Sequence, residues 1–438
     1  MTRIKPRAKQ LAASLRKSNS ERVEYESDEA VRPECESKTQ LLVDQDSKKR
    51  WANWHTRAIS TIVLVSVFGG VLASGPLFII LLVMALQAVI YYEVVNLVSL
   101  PNRQRRLPWL RSINWYFFFV TNYFLYGDSI ILNFKDTIFA NAFLLNIASH
   151  HYFKSFSAYC LGFIWFVLNL RKNHYRFQFS MFAVTHMALL LVVFTSHFIV
   201  KNIFKGMFWF LLPISLVIVN DIGAYIAGFF FGRTPLIELS PKKTVEGFVG
   251  GLLITVTFGV LFSLWLCRYN FMICAIRDLT ITAFSEIDCI PNPVFAKTEF
   301  ALPPPTASLL ALILGGSWRV IRVRPILLHS VAMSIFASLI APFGGFFASG
   351  LKRAFNIKDF ADVIPGHGGL TDRFDCQFMM GLFSYIYYTS FIETQQLDVG
   401  TVLETIVNNL STEDQMALYR QLGTYLQEYH LIPIEKIV

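Results

Sequence analysis

The sequence predicts an all-α fold, a polytopic bundle of about nine transmembrane helices. Of its 438 residues, 54% are hydrophobic and 16% are charged, whereas a soluble globular chain carries about 25% charged residues. Apolar runs of roughly the twenty residues that cross a bilayer also recur along most of the chain. The predicted spans are 58–74, 76–98, 113–131, 156–171, 178–199, 207–231, 248–268, 326–348 and 377–394.

Composition divides the chain into four regions. Residues 1–50 are rich in charge and contain no long apolar run, which is typical of a disordered tail, and we expect this tail in the cytosol. An N-terminal transmembrane region covers 51–206. A second transmembrane region covers 207–395, and the polar segments discussed below make it the candidate catalytic region. Residues 396–438 have the pattern of amphipathic helices and form a C-terminal tail.

The basic residues indicate how the bundle is oriented. The net charge of +9 favours contact with anionic membrane lipid and is poor support for nucleic-acid binding. With the amino terminus in the cytosol, the basic connections after the second, fourth, sixth and eighth spans all lie on the cytosolic side. Arg319, Arg322 and Arg324 lie on the other side and count against this orientation. Because the connections after the sixth and eighth spans share one face, their charged residues can form a single site.

The six cysteines form no CxxC motif and no Cys/His cluster, which argues against a zinc site. In the predicted topology the loop 270–325 is lumenal. There, Cys274 and Cys289 either oxidise to a disulfide or remain two free thiols, and the sequence leaves both states open.

Two polar residues interrupt the sixth predicted span. Asn220 and Asp221 lie inside the apolar run, and an intramembrane carboxylate is by default a candidate for function. The alternative is that Asp221 is hydrogen-bonded to a side chain on a neighbouring helix and has no chemical role. Gly223, Gly228 and Gly232 follow, and such small residues favour close packing against another helix.

A candidate phosphate-binding segment follows this span. Ser240 is predicted to cap a helix that begins with Pro241, which would leave free backbone N–H groups for an anion. Lys242 and Lys243 would offset the charge of a triphosphate. Alternatively, both lysines only anchor the chain at the cytosolic face of the membrane.

The segment 349–375 combines both signs of charge and lies between two apolar segments. Charges beside a membrane are costly unless they meet each other, a metal or a charged ligand. Mg²⁺ prefers oxygen ligands and commonly takes one or two carboxylates together with substrate phosphates. The candidate metal ligands are the carboxylates of Asp221, Asp359, Asp372 and Asp375.

Other residues of this segment suit phosphate groups. Lys352, Arg353 and Arg373 fit phosphoryl oxygens. Gly368 and Gly369 allow backbone N–H groups to approach a ligand without interference from side chains.

His367 lies just before these glycines and has two interpretations. It is either a general acid toward a leaving phosphate or a structural hydrogen-bonding residue. Together, the segments predict metal-assisted transfer at phosphorus with a lipid reactant. Their spacing names neither the nucleotide nor the lipid.

The order of these residues resembles the signature of a known family. That signature is Ser, two residues, Lys-Arg, four residues, Lys-Asp, then His-Gly-Gly and Asp-Arg-x-Asp. It is matched here by Ser349, Lys352, Arg353, Lys358, Asp359, His367, Gly368, Gly369, Asp372, Arg373 and Asp375. A match of this length is specific, and the chain is similar to the CDP-diacylglycerol synthase, or phosphatidate cytidylyltransferase, family in its eukaryotic endoplasmic reticulum branch. The resemblance is strong over 207–395.

The resemblance implies an integral membrane nucleotidyltransferase that converts CTP and phosphatidic acid to CDP-diacylglycerol and pyrophosphate with Mg²⁺ as cofactor. It implies a site that faces the cytosol from the endoplasmic reticulum membrane, and it is compatible with a homodimer. The product would supply the synthesis of phosphatidylinositol, phosphatidylglycerol and cardiolipin.

The resemblance also implies a role for each matching residue. The catalytic residues would be Asp359, Asp372, Lys352, Arg353 and His367. The substrate-binding residues would be Ser349, Lys358, Arg373, Ser240, Lys242, Lys243, Gly368 and Gly369. The metal ligands would be Asp221, Asp359, Asp372 and Asp375.

Other classes of protein remain as alternatives. A CTP-dependent lipid kinase, such as a polyprenol kinase, would transfer the γ-phosphoryl group and release CDP instead of pyrophosphate. A transporter or scaffold would use the membrane charges for permeation or structure and would turn over no nucleotide. The CDP-alcohol phosphotransferases are disfavoured because their Asp-Gly-x-x-Ala-Arg pattern is absent.

Overall fold

α-Helices make up most of the part of the chain that the computed structural model describes. The described residues are 47–97, 109–133, 146–237, 240, 243–276, 278–301, 320–355, 357, 359–361, 368–393, 402–403, 406–407 and 410–428. In chain order the helices are α1 (Ser47–Ser74), α2 (Pro76–Asn96), α3 (Trp109–Asn133), α4 (His151–Leu168), α5 (Tyr175–Ala188), α6 (Thr195–Lys205), α7 (Met207–Phe231), α8 (Val245–Leu266), α9 (Asn270–Ile273), α10 (Ile326–Leu339), α11 (Pro342–Ala354), α12 (Thr371–Phe391) and α13 (Thr412–Glu428).

Little other regular structure accompanies these helices. A π-helical segment, Leu189–Phe194, joins α5 to α6, and a 3-10 turn covers Pro293–Phe295. Strands β1 (Thr298–Ala301) and β2 (Val320–Val323) form one antiparallel pair. The all-α prediction is confirmed apart from this two-stranded pair.

Several helices have the length and apolar composition of membrane spans. Among the described residues, five segments meet both conditions, namely α2, Tyr175–Lys205, α7, α8 and Ile326–Ala354. The other predicted spans lie largely on α1, α3, α4 and α12, and the count of about nine stays a prediction. Large apolar side chains such as Phe119 and Phe229 are 64% and 73% exposed, as expected of surfaces that face lipid.

Internal contacts divide the chain into two units, 1–64 and 65–438. In the first unit the described residues form the amino-terminal part of α1, where Ile59, Ile62 and Val63 are exposed. The second unit contains the rest of α1 and all the other elements. The predicted disordered tail, 1–50, lies almost entirely outside the described residues.

Helix α7 is the central helix of the second unit. Its first seven residues, 207–213, are all buried, and the helix packs against α6, α8, α10 and α12. Its contact with α8 is close, because a Cβ added at Gly247 would lie 2.7 Å from the carbonyl oxygen of Ala224. The predicted packing role of small residues is confirmed at Gly223 and Gly228, which lie against α8.

Buried polar side chains fix α2 against α3. Gln87 donates a hydrogen bond to Oδ1 of Asn122 at 2.7 Å and accepts one from the hydroxyl of Tyr126 at 3.1 Å. The hydroxyl of Tyr91 donates to the carbonyl oxygen of Asn114 at 2.7 Å. Because unpaired polar groups are costly in an apolar interior, these contacts specify which face of α2 turns inward.

The helices of the second unit bring two different sets of loops to its two ends. One end combines the carboxyl ends of α2, α7 and α11 with the amino ends of α8 and α12. At the other end, the N–H of Ile276 donates to the carbonyl of Phe204 at 3.1 Å, and Nδ2 of Asn292 donates to the carbonyl of Ile392 at 3.3 Å. The connections after the sixth and eighth predicted spans therefore share one end, as predicted.

The second end carries a disulfide between Cys274 and Cys289. The sequence left open whether these cysteines are bonded, and the structure answers that they are. The bond closes a loop in which Ile276 contacts the carboxyl end of α6, and Asn292, just beyond Cys289, contacts the carboxyl end of α12. The disulfide therefore lies at the end of the unit that is remote from the candidate site residues.

Candidate active site

An ion pair joins α11 to α12. Nζ of Lys352, in the last turn of α11, contacts Oδ1 of Asp372, in the first turn of α12, and the two side chains are only 14% and 12% exposed. The other oxygen of Asp372 accepts a hydrogen bond from the backbone N–H of Phe360 at 3.2 Å. The ring of Phe360 lies 5.5 Å from Nζ of Lys352. Two predicted site residues are thus brought together across their connecting segment.

The two predicted glycines lie where a larger residue does not fit. Gly368 has a φ of +80°, in the left-handed region that glycine adopts without steric cost. A Cβ on Gly369 would lie 3.0 Å from the backbone nitrogen of Ala361 and 3.1 Å from Oδ2 of Asp372. Gly369 therefore lets the chain pass close to the Asp372 carboxylate, whereas Gly368 supplies the left-handed backbone conformation.

A residue that the sequence analysis missed, Glu93, caps the amino end of α12. It lies near the carboxyl end of α2 and is only 3% exposed. Its carboxylate accepts hydrogen bonds from the backbone N–H groups of Leu370 and Thr371 and from the Thr371 hydroxyl. The sequence did contain a signal for Glu93, namely a carboxylate inside the apolar run 76–98. Asp221 was recognised by the same kind of interruption in its own span.

The second charged group gathers around Asp221 on α7. Lys243 and Arg373 both lie close enough to act on the charge of Asp221. Asp375, one turn along α12 from Asp372, also lies within electrostatic range of Asp221. Close approach of α11 to α12 is possible at Gly344, where an added Cβ would lie 2.6 Å from the carbonyl oxygen of Asp375. The sixth-span carboxylate and the signature segment therefore form one site.

A pocket of about 380 Å³ opens between α7, α8 and the amino end of α11. Asp221, Lys243 and Thr244 supply polar groups, whereas Tyr225 and Phe346 supply aromatic walls. Ligand pockets commonly combine a mostly apolar lining with a few convergent polar groups. The pocket can therefore hold a charged group beside an apolar one.

The connection between α7 and α8 is folded by its own hydrogen bonds. Glu246 accepts from the backbone N–H groups of Arg233 and Thr234, and the N–H of Leu236 donates to the carbonyl of Lys243 at 2.8 Å. Lys243 is thus held at the mouth of the pocket.

The predicted helix cap in this connection is wrong. Helix α8 begins at Val245, and the hydroxyl of Thr244, not Ser240, accepts the hydrogen bond from the N–H of Gly247, at 3.2 Å. Ser240 instead takes part in a turn, where its carbonyl accepts from the N–H of Lys243 at 3.0 Å. The hydrogen bonds of Glu246 extend the folded connection up to Thr244, which moves the start of the helix forward.

The remaining predicted residues divide into two groups. Arg353 and Asp359 are exposed, and Ser349 is half-buried on α11. Three predicted residues, Lys242, Lys358 and His367, lie outside the described residues.

The predicted metal ligands fit Mg²⁺ unequally. Within the described part of the chain, no three His, Cys, Asp or Glu side chains form a cluster of metal ligands. Asp372 is already paired with Lys352, whereas Asp221 and Asp375 bring two like charges into electrostatic range. Two neighbouring carboxylates are costly without a compensating cation, and two carboxylates with substrate phosphates are a common Mg²⁺ donor set. Asp221 and Asp375 therefore fit the ion better than Asp372 does.

Comparisons with known proteins identify the family of the chain. A phosphatidate cytidylyltransferase of Saccharomyces cerevisiae is 40% identical over 428 residues, which cover 97% of this chain and 92% of the relative. Phosphatidate cytidylyltransferase 2 of Homo sapiens is 46% identical over 343 residues, 78% of this chain and 76% of the relative. Phosphatidate cytidylyltransferase 1 of Mus musculus is 44% identical over 379 residues, 86% of this chain and 80% of the relative. The sequence profile of the cytidylyltransferase family matches residues 55–391, and the chain belongs to this family.

Proposed function

We propose that the protein is a phosphatidate cytidylyltransferase, which joins CTP to phosphatidic acid and yields CDP-diacylglycerol and pyrophosphate. The observation that carries this proposal is the largely buried Lys352–Asp372 pair within the complete signature segment of a cytidylyltransferase-family chain. The relatives' names supply the two substrates, and the site supplies cations, close backbone approach and an apolar pocket that suit them.

The reaction needs little acid or base help for its nucleophile. An ionised phosphate oxygen of phosphatidate attacks the α-phosphorus of CTP, a new P–O bond forms, and the bond to the β-phosphate oxygen breaks to release pyrophosphate. The protein must bring two anions together and balance the charge that develops on the leaving group. Cationic side chains and backbone N–H groups around the site can do both.

The cations of the site divide between the two substrates in this proposal. Lys352, Arg353 and Arg373 bind phosphate oxygens at the reacting centre, and Gly368 and Gly369 present backbone N–H groups there. The nucleotide end is closed by Lys243 at the pocket mouth, together with Ser240 and Lys242. His367 acts as a general acid toward the leaving pyrophosphate, and Ser349 and Lys358 complete the substrate contacts.

Mg²⁺ is the proposed cofactor, and its charge would offset the phosphate charges when it is bound. Asp221 and Asp375 would hold it, because they place two carboxylates within electrostatic range of each other, and such a pair with substrate phosphates is a common Mg²⁺ donor set. Asp372 serves to orient Lys352, and Asp359 lies at the exposed edge of the site, where it can bind the ion through water.

We also propose the membrane arrangement. The chain crosses the endoplasmic reticulum membrane about nine times, with the charged end of the bundle in the cytosol and the disulfide end in the lumen. A disulfide persists in an oxidising compartment and is rare in the cytosol, so its position supports this orientation. The product supplies phosphatidylinositol, phosphatidylglycerol and cardiolipin synthesis, and two copies form a homodimer.

Turnover by the purified full chain tests the proposed reaction. We expect that, with labelled CTP, phosphatidic acid and Mg²⁺ in detergent, the protein forms CDP-diacylglycerol and pyrophosphate in equal amounts. A chelator should stop the reaction, and added Mg²⁺ should restore it. Release of CDP with a newly phosphorylated lipid would identify a kinase instead, and a folded protein that consumes no CTP with any lipid would refute an enzymatic role.

A further inference from the structure

We propose that Glu93, a buried carboxylate on α2, is a positioning residue for the cytidylyl transfer. It fixes the first turn of α12 and, through that turn, the Asp372–Lys352 pair. This inference rests on the proposed function of the site. It assigns to the N-terminal region, 51–206, a direct part in building an active site whose signature lies more than 250 residues later in the chain.

Among the described residues, the side-chain hydrogen bonds of Glu93 go to the start of α12. Its Oε1 accepts from the N–H of Leu370 at 3.0 Å, and its Oε2 accepts from the N–H and the hydroxyl of Thr371 at 2.8 and 2.7 Å. The first N–H groups of a helix have no partner within the helix, and a carboxylate there also interacts favourably with the helix dipole. Glu93 therefore determines where α12 begins and how its first turn is oriented.

Glu93 is itself held rigidly. It is 3% exposed, and a buried carboxylate is costly unless hydrogen bonds compensate it. On the same helix, Tyr91 is bonded to Asn114 at 2.7 Å and Gln87 to Asn122 at 2.7 Å, so α2 has little freedom to turn. The N-terminal helices thus present Glu93 to α12 in one fixed place.

The positioning effect reaches the reacting groups through one residue. Asp372 directly follows Thr371 and binds Lys352 and the N–H of Phe360. Glu93 and Asp372 also flank the same glycine, since a Cβ on Gly369 would lie 3.2 Å from Oε2 of Glu93 and 3.1 Å from Oδ2 of Asp372. A shift of either carboxylate would therefore disturb the glycine segment together with the cation at the reacting centre.

The competing interpretation is that Glu93 only stabilises the fold. A matched control separates the two roles, because α2 offers a second buried polar residue, Gln87, which is 1% exposed. Among the described residues its side chain is hydrogen-bonded to Asn122 and Tyr126 of α3 and not to α12. Gln87→Ala should cost stability without disturbing the active site.

The test compares Glu93→Gln with Gln87→Ala in the purified full chain. Glutamine keeps the size of the side chain but turns an NH₂ donor toward donors on α12. We expect a loss of about 10- to 100-fold in kcat for Glu93→Gln, the range found when supporting residues of active sites are removed, with partial recovery in Glu93→Asp. Gln87→Ala should lower the melting temperature by a similar amount and keep its kcat. A kcat for Glu93→Gln that matches the control at equal stability would overturn the proposal.

A milder variant keeps the proposal testable if Glu93→Gln does not fold. Thr371→Val removes only the hydroxyl donor, and we expect a smaller loss of kcat that is not additive with Glu93→Asp, because both changes affect the same hydrogen bond. An unchanged kcat in Thr371→Val, or additive losses, would count against the positioning role. Inactivity of the unaltered protein with CTP and phosphatidic acid would instead count against the proposed function.

Discussion

At the scale of single residues, the Lys352–Asp372 pair determines the position and the charge compensation of Lys352 before substrate binds. Each charge is largely buried, and a buried charge that loses its partner is strongly destabilising. The pair therefore keeps the Lys352 ammonium group in place and its charge compensated until substrate binds. Substrate phosphate must then compete with Asp372 for Lys352, which favours ligands that carry more than one negative charge.

When both members of the pair are replaced, stability and activity should respond differently. Asp372→Asn and Lys352→Met should each lower the free energy of unfolding by up to about 3 kcal/mol, because each leaves one buried partner uncompensated. The double variant should recover most of that stability, since no unpaired charge remains, but it should stay inactive. Thermal unfolding and turnover of all three variants check this, and single variants as stable as the parent would contradict it.

At the scale of helices, the α7–α8 contact builds the pocket. The two backbones approach closely because Gly247 faces Ala224 and Gly228 faces Thr244. The same approach brings Lys243, at the foot of α8, to the side of Asp221 on α7. The small residues that allow α7 and α8 to pack closely therefore also determine where the charge of Lys243 lies.

Substitution of Gly247 should therefore affect both the fold and the pocket. In Gly247→Ala the new Cβ would lie 2.7 Å from the carbonyl of Ala224 and 2.9 Å from Oγ1 of Thr244, so α8 must move. We expect a loss of about 1–3 kcal/mol of stability and a raised KM for CTP.

Gly69→Ala is the matched control for this substitution. Gly69 lies in helix α1, and an added Cβ would meet nothing within 4 Å, so the melting temperature should be unchanged or higher, as helix propensity favours alanine. Equal melting temperatures for both alanine variants would show that the α7–α8 contact tolerates a methyl group.

At the scale of the whole molecule, the second unit has one reactive end and one covalently fixed end. The Cys274–Cys289 bond closes a loop with a separation of 15 residues. Ile276 in this loop bonds to Phe204 of α6, and Asn292, just beyond the loop, bonds to Ile392 at the carboxyl end of α12. Helix α12 is therefore anchored at both ends, by Glu93 at its start and by the segment that follows the disulfide loop at its finish.

Loss of the disulfide should weaken this anchoring. Reduction, or Cys274→Ser, should lower the stability by about 3 kcal/mol, the order expected for a loop of this length. Cys160, a free cysteine on α4, provides the control, and Cys160→Ser should leave the melting temperature unchanged. A melting temperature that does not respond to a reductant would show that the loop is held by its other contacts.

Much of the fold and of the site follows from the sequence, and the exceptions have physical reasons. Long apolar runs give helices in the part of the chain that the structure describes. The polar interruption at Asp221 pointed to a residue that the fold places within electrostatic range of the signature segment. The helix start at Ser240 was wrong because Glu246 binds the preceding connection and leaves the cap to Thr244. A local pattern cannot show such a contact across the connection.

Glu93 was missed for a different reason. Its partners lie 277 and 278 residues away, so no spacing rule connects them. The dense charges of the signature segment, by contrast, are visible in the sequence alone. Likewise, the state of Cys274 and Cys289 depends on whether the fold brings them together, which the sequence left open. In both cases the decisive information is the three-dimensional arrangement of the chain, which no local pattern contains.

The separation between Glu93 and Thr371 has a consequence for how the protein is made. At about 5–20 residues per second, α2 leaves the ribosome roughly 14–56 s before α12. During that interval its carboxylate stands in an apolar helix without the donors that will bind it. In a chain that ends before α12, the Glu93 carboxylate never gains these hydrogen-bond donors. Synthesis of α12 therefore supplies the partners that a buried charge on α2 has lacked since that helix was made.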